Sequence, residues 1–404
     1  DEAHMIGLGK YLDIHGYTDR FGILLEHLNK VIEIAQKYDF EPIMWSDMFF
    51  RLANKGSYYS SAGDAEFLKI KDKTPKNVGF VYWDYYGKAV NHYKKMIKSH
   101  RKFENELWFA GGARSWKGFA PSNRYSLLTM KPAMKACKDS GINNIFITMW
   151  GDDGKECSYY SLLPSLFAIR KFYDGEYDMK TIKDEFNRIT GEKYDVLYSL
   201  DLVDLAIRKD NYKIGFSKAM LYSDPFNGFL DRHVISGDFE KHFKKYKTLS
   251  ARYAKYKKSS AYGYIFDEES KLCKLLSVKT DLGAKTRIAY ANRDVSALKN
   301  LVEDYKKAEK YLEDFYRAFK ELWYKENKPQ GFDIQEVRLG GLSFRLRSCR
   351  ERLTEYVEGK IEIIPELEEK LLDENGGCEY KESTPEFDKW NKSFTVNVVE
   401  HRPI

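Results

Sequence analysis

The sequence has few cysteines and no pair of them at the spacing that a metal or redox site needs. Cys137, Cys157, Cys273, Cys349 and Cys378 are five, an odd number, and none forms a CxxC. Free thiols in a reducing, cytoplasmic compartment are the expectation. No histidine–cysteine set has zinc-ligand spacing, so neither a metal nor any other cofactor is expected. No apolar run approaches the length that crosses a bilayer, which argues against a membrane partner. Excess charge of one sign is also scarce: 67 Lys and Arg against 61 Asp and Glu leave +6 over 404 residues. The lysines are scattered, often beside acidic residues, as on solvated helices, and give no case for nucleic acid. The opening Asp1-Glu2-Ala3-His4 matches the acidic box of a helicase class, but the phosphate loop GxxxxGK[ST] that such a box serves is missing. Internal repeats and low-complexity tracts are missing as well.

What is present is a chain with 43% hydrophobic and 32% charged residues, globular and long enough for two or three domains. Its most informative stretch is Asn143–Asp153, NNIFITMWGDD. Asn144–Met149 carries β-branched and aromatic residues without charge, the pattern of a strand buried on both faces. It stops at Trp150, Gly151, Asp152 and Asp153. Three earlier segments repeat the plan: Pro42–Met44 runs into Trp45-Ser46-Asp47, Val78–Val81 into Tyr82-Trp83-Asp84, and Leu107–Ala110 into Gly111-Gly112 with Trp116 beyond. Four strands thus deliver an aromatic, and three a carboxylate, at their C-terminal ends. A parallel α/β barrel assembles its active site there.

Helical patterns lie between and after these strands. Tyr17–Asp39 is amphipathic, with Thr18 as its expected N-cap. Further helices are expected over Lys88–Arg101, Arg124–Ser140 and Ser158–Tyr173, while Phe49–Asn77 is a long connection. Alternation ends near Asp174-Gly175, which places a boundary between 1–175 and 176–404. Beyond it the pattern is almost wholly helical, clearest over Phe239–Lys257, Asp267–Asn292, Val295–Tyr324, Gln335–Glu358 and Pro365–Asp373. Leu298, Leu301, Val302, Tyr305, Ala308 and Leu312 form one apolar stripe for packing in a bundle. Gly340-Gly341 is expected to weaken its helix, and Phe394–Val399 alternates like a terminal strand.

Indoles and carboxylates on strand ends suit a polyhydroxylated ligand with an apolar face. A pyranose stacks its C–H face on indole and offers hydroxyls to carboxylates. A lone Trp reads as core about as readily, and an Asp such as Asp153 reads as a helix N-cap; four Trp at four strand ends favour a site.

In order along the chain, Asp1-Glu2, Trp45, Tyr82-x-Asp84, Trp116 and Trp150-x-Asp152 resemble the glycoside hydrolase family 20 β-N-acetylhexosaminidases. DEAHMIGLGKY, MWSDMFF and TMWGDDGKECSYYSLLPS look closest to the bacterial subgroup with a helical C-terminal domain. The resemblance implies an α/β fold: the C-terminal half, strands five to eight, of a TIM (β/α)8 barrel followed by an α-helical domain. The chain starts at Asp1, so the first half of the barrel is expected to be a missing N-terminal partner. Also implied is exo cleavage of a terminal β-linked 2-acetamido sugar with retention, in which the substrate's acetamido oxygen attacks C1 to give an oxazoline. Glu2 would be general acid and then base. Asp1 would orient the acetamido group, and His4 sits beside both. Tyr82 would donate to the acetamido oxygen. Trp45, Trp116 and Trp150, with Trp83, would wall the pocket. Asp84 and Asp152 would bind outer hydroxyls, Asp152 standing where many members carry Glu. The alternative is a non-catalytic carbohydrate-binding fragment on a helical scaffold. A homo-oligomer is compatible with either.

Overall fold

The computed structural model describes residues 5–53, 57–59, 70–207 and 215–371, together with Trp390 and Phe394. Asp1, Glu2, His4 and Cys378 lie outside the described residues, as does the strand expected over Phe394–Val399 except for Phe394, which is helical. Two helices, α1 (Lys10–His15) and α2 (Arg20–Lys37), come first. Asp19, not Thr18, caps α2: its carboxylate accepts from the backbone N–H groups of Phe21 and Gly22. A carboxylate at a helix N-terminus also meets the positive end of the helix dipole, which a hydroxyl matches less well.

Four strands follow, β1 (Ile43–Trp45), β2 (Gly79–Trp83), β3 (Leu107–Gly112) and β4 (Ile145–Thr148). They pair in parallel and in chain order, β1-β2-β3-β4. The crossovers carry α3 (Asp47–Ala53), α4 (Val90–Arg101) and α5 (Asn123–Asp139). Parallel strands added always on the same side, each through a crossover of the usual hand, collect their helices on one face. That face carries Phe80, Tyr82, Phe109, Ile145 and Ile147, which join the hydrophobic core with Met96 and Ile97 of α4 and Met130 and Met134 of α5. Gly111 lies where Met130 Sδ of α5 would come within 2.5 Å of an added Cβ, so the Met130 side chain packs directly on the strand backbone there.

The register puts Trp45, Val81, Trp83, Trp108, Ala110, Phe146 and Thr148 on the other face. In a flat sheet β1 and β4 would stand roughly 14 Å apart, three strand spacings. Yet the rings of Trp45 on β1 and Phe146 on β4 have centroids 5.9 Å apart. The sheet is therefore strongly curved, with this face on the inside.

After α6 (Leu163–Asp174) the described chain is helical: α7 (Met179–Thr190), α8 (Tyr194–Tyr198), α9 (Phe216–Tyr222), α10 (Phe239–Ala254), α11 (Gly263–Lys279), α12 (Leu282–Ala291), α13 (Val295–Glu326), α14 (Phe332–Val357) and α15 (Pro365–Glu368). The stripe from Leu298 to Leu312 is buried along α13. Two expectations change. The helix expected over Asp267–Asn292 breaks at Thr280-Asp281, where the Asp281 carboxylate pairs with His242 at 2.9 Å. Gly340-Gly341 leaves α14 unbroken. Among the described residues no helix is long and apolar enough to cross a membrane.

Candidate functional site

A cavity of about 350 Å³ opens at the C-terminal ends of the strands, lined by Trp45, Asp47, Trp83, Tyr85, Tyr86, Trp116, Trp150 and Asp152. All four strand ends contribute. The two carboxylates follow the outermost strands β1 and β4, and the aromatic rings lie between them.

The rings form a connected wall. Trp45 and Trp150 have centroids 6.0 Å apart, Trp83 and Tyr85 5.3 Å, and Tyr85 and Trp116 5.4 Å. Trp150 Nε1 donates to Tyr85 Oη at 3.0 Å, joining the ends of β4 and β2. Tyr85 and Trp116 close over Gly112; a Cβ there would sit 2.7 Å from one ring and 2.9 Å from the other. The Arg114 guanidinium lies 5.4 Å from the Trp116 ring centroid, and 4.4 Å from that of Tyr125, under the wall. Trp150 stays 40% exposed at the mouth, whereas Trp116 is buried. Burial pushes the Tyr85 phenol up from its ordinary value, so it stays protonated as a donor.

Two expected residues are elsewhere. Tyr82 is fully buried on the helix-facing side, and its hydroxyl donates to Asp84 Oδ2 at 2.9 Å. Asp84 is fully buried too: Oδ1 accepts from the backbone N–H of Tyr86 and Gly87, and Oδ2 also meets His92 Nε2 at 2.6 Å. Neither lines the cavity, because side chains alternate along a strand. Val81, Trp83 and Tyr85 share one parity and face inward; Tyr82 and Asp84 share the other. Asp84 instead fixes the turn that presents Tyr85 and Tyr86. Trp45, Trp116, Trp150 and Asp152 line the cavity, as does Trp83. Asp47 was read from the sequence as a strand-end carboxylate but given no role, and Tyr85 and Tyr86 were not singled out, though the register parity of Trp83 points to Tyr85. Asp47 is buried and accepts from Arg51 Nε at 3.1 Å.

The loop carrying Trp150 and Asp152 is held from the helical half of the chain. Asp153, Gly154 and Lys155 all have positive φ, at 51°, 127° and 52°, a run that costs free energy unless its surroundings fix it. Lys218 Nζ donates to the Asp153 carbonyl at 2.9 Å and pairs with the Asp153 and Glu156 carboxylates at 3.0 and 2.7 Å. Arg338 donates to the Asp153 carbonyl at 2.7 Å and pairs with Glu156 at 3.3 Å. Gln335 Nε2 donates to the Gly154 carbonyl at 2.8 Å, and the Trp390 N–H to Asp153 Oδ2 at 2.7 Å. Lys218 is itself fully buried.

The cavity is walled by aromatic rings, with two carboxylates, Asp47 and Asp152, in its lining. Among the described residues no cluster of His, Cys, Asp and Glu is arranged to hold a metal. Comparison with known proteins indicates a class. Residues 192–384, just under half of the chain, match the family model described as the Glycoside Hydrolase 20C C-terminal domain. That match relates the chain to glycoside hydrolase family 20 and to a glycosidase-related function. Among solved structures, a GH138 enzyme targeting pectin rhamnogalacturonan II aligns over 87% of this chain and 75% of its own, with 10% identity and a TM-score of 0.37. A likeness of that size establishes neither a shared fold nor a shared chemistry. No curated protein matches.

Proposed function

We propose that the chain carries the sugar-binding wall and the acid pair of an exo-acting β-N-acetylhexosaminidase that works with retention. The observation that carries this reading is the cavity at the strand ends: four indoles and two phenols stand around a space for one or two pyranose rings, with Asp47 and Asp152 in its lining. Stacking on indole suits the C–H face of a hexopyranose, and the carboxylates suit its hydroxyls. The family 20 match in the helical half supports the same class.

In the proposed mechanism the acetamido carbonyl oxygen of the substrate attacks C1. The C1–O bond to the leaving group breaks as Glu2 delivers its proton to the departing oxygen. Asp1 stays ionised and accepts from the acetamido N–H. The oxazoline is then opened by water, whose proton returns to Glu2. Tyr85, rather than Tyr82, is the phenol available to the acetamido group, and Asp152 takes an outer hydroxyl. The inward curvature of the sheet supports a closed barrel, with further strands completing the concave face around Trp108 and Phe146.

The test is hydrolysis of 4-nitrophenyl β-N-acetylglucosaminide beside the corresponding glucoside, with and without the remaining barrel strands. Cleavage that requires the acetamido group, and is lost in Glu2→Gln with a poor leaving group, is expected. Equal rates on both glycosides, or saccharide binding without any release, would contradict it.

A further inference from the structure

Far along the chain from the strand-end cavity, α11 packs against both α10 and α13. The two outer helices stand as walls above it and leave a groove of about 440 Å³. Phe243, Lys247 and Ser250 come from one face of α10. Lys274 and Ser277 rise from the floor, Lys285 closes one end on α12, and Lys307 and Tyr311 come from α13. Four lysines against one acid, Asp304, give the lining a formal charge of +3. Lys307 pairs with Asp304 at 2.8 Å, and Lys274 reaches Asp314 only at 3.9 Å. The Lys247 ammonium lies 5.4 Å from the Phe243 ring centroid, Lys285 5.4 Å from Phe239, and Lys274 4.3 Å from Tyr311. Phe243 and Tyr311 are themselves in the lining, so these two rings hold Lys247 and Lys274 at the groove wall.

We infer that this groove binds an acidic saccharide segment, a short run of uronate or sulfated sugar rings. Carboxylate or sulfate groups meet the four ammonium ions. Ring C–H faces rest on Phe243 and Tyr311, and hydroxyls reach Ser250 and Ser277. The helical walls offer no free backbone edge for an extended acidic peptide to pair with. Mobile counter-charge held near the groove also relieves the repulsion among its lysines. The choice of a saccharide rests on the glycosidase reading above.

The experiment titrates the full chain with trigalacturonate, with neutral chitotriose and with a glutamate decamer, followed by calorimetry. Trigalacturonate binding is expected to weaken at least tenfold between 50 and 300 mM salt. It is expected to fall at least tenfold again in Lys247→Gln/Lys285→Gln, whose side chains are solvent-accessible and whose fold is checked by circular dichroism. Trp150→Ala, in the other cavity, is expected to leave it unchanged. No trigalacturonate binding, or binding indifferent to the lysine pair, overturns the inference. So does tighter binding of the glutamate decamer, which would make the groove a peptide site. Chitotriose reports on the strand-end cavity alone: its failure would count against the glycosidase reading and leave the groove result standing.

Discussion

Tyr82 and Tyr85 are three residues apart and have opposite fates. Tyr85 accepts from the Trp150 indole at the cavity wall, whereas Tyr82 donates to Asp84 beneath it. Replacing each with Phe separates the two roles. Tyr85→Phe removes the acceptor for Trp150 and the phenol facing a ligand, so saccharide affinity and turnover should drop about tenfold, the effect of one hydrogen bond. Tyr82→Phe should cost about 1 kcal/mol of stability and leave affinity unchanged. Titration with N-acetylglucosamine beside urea unfolding of both variants checks this. Equal affinities in the two variants would remove Tyr85 from the site. Tyr82-x-Asp84 drew attention because the motif resembles that of the family 20 enzymes and stands at a strand end. Their parity was legible, but which parity faces inward depends on where the helices pack, and that is a tertiary fact.

At the scale of elements, the strand-end loop is the clearest dependence of one part of the chain on another. Residues 153–155 hold left-handed or otherwise glycine-like backbone, and Lys218, Gln335 and Arg338 supply the bonds that keep them there. Arg338→Gln leaves both the Glu156 carboxylate and the Asp153 carbonyl to Lys218 alone. A loss of about 1.5–3 kcal/mol is expected, that of a hydrogen bond to a charged group, since Glu156 keeps its pair with Lys218. Hydrogen exchange at 151–155 should rise, and saccharide affinity should weaken through Trp150 and Asp152. Unchanged exchange in that loop would show that Arg338 serves the helical half only. The strand segments, the end of alternation near Gly175 and the apolar stripe of α13 were readable in the sequence, because each follows from local periodicity. The clamp was not, since its partners lie 65 to 185 residues apart. The Asp281–His242 pair that interrupts the helix expected over Asp267–Asn292 was hidden for the same reason.

Over the whole molecule, buried carboxylates set a pH response. Asp204 is buried, with Oδ1 accepting from the Ser217 N–H and hydroxyl and Oδ2 unpartnered among the described residues. Burial raises it to about 6. Its folded value lies above its unfolded one, so the folded state binds the extra proton. The stability this contributes is complete below about pH 4 and is lost as pH rises through about 6. Asp204→Asn keeps an acceptor for Ser217 and carries no charge. Relative to it, the native chain should lose about 2–3 kcal/mol between pH 4 and 7, read from urea midpoints at each pH. A constant difference across that range would show that Asp204 does not titrate there. Architecture at this scale was legible as a curved parallel sheet followed by helices. The lysine groove was not, because its lining comes from four helices whose mutual placement no periodicity encodes.

The central claim is that the aromatic cavity at the strand ends holds a 2-acetamido pyranose. The most direct measurement is tryptophan fluorescence of the chain titrated with N-acetylglucosamine and with glucose, in the native protein and in Trp150→Ala. Binding of N-acetylglucosamine at least tenfold tighter than glucose, abolished by Trp150→Ala, is expected. Equal affinity for the two sugars, or preference for the acetamido sugar that persists without Trp150, would contradict it.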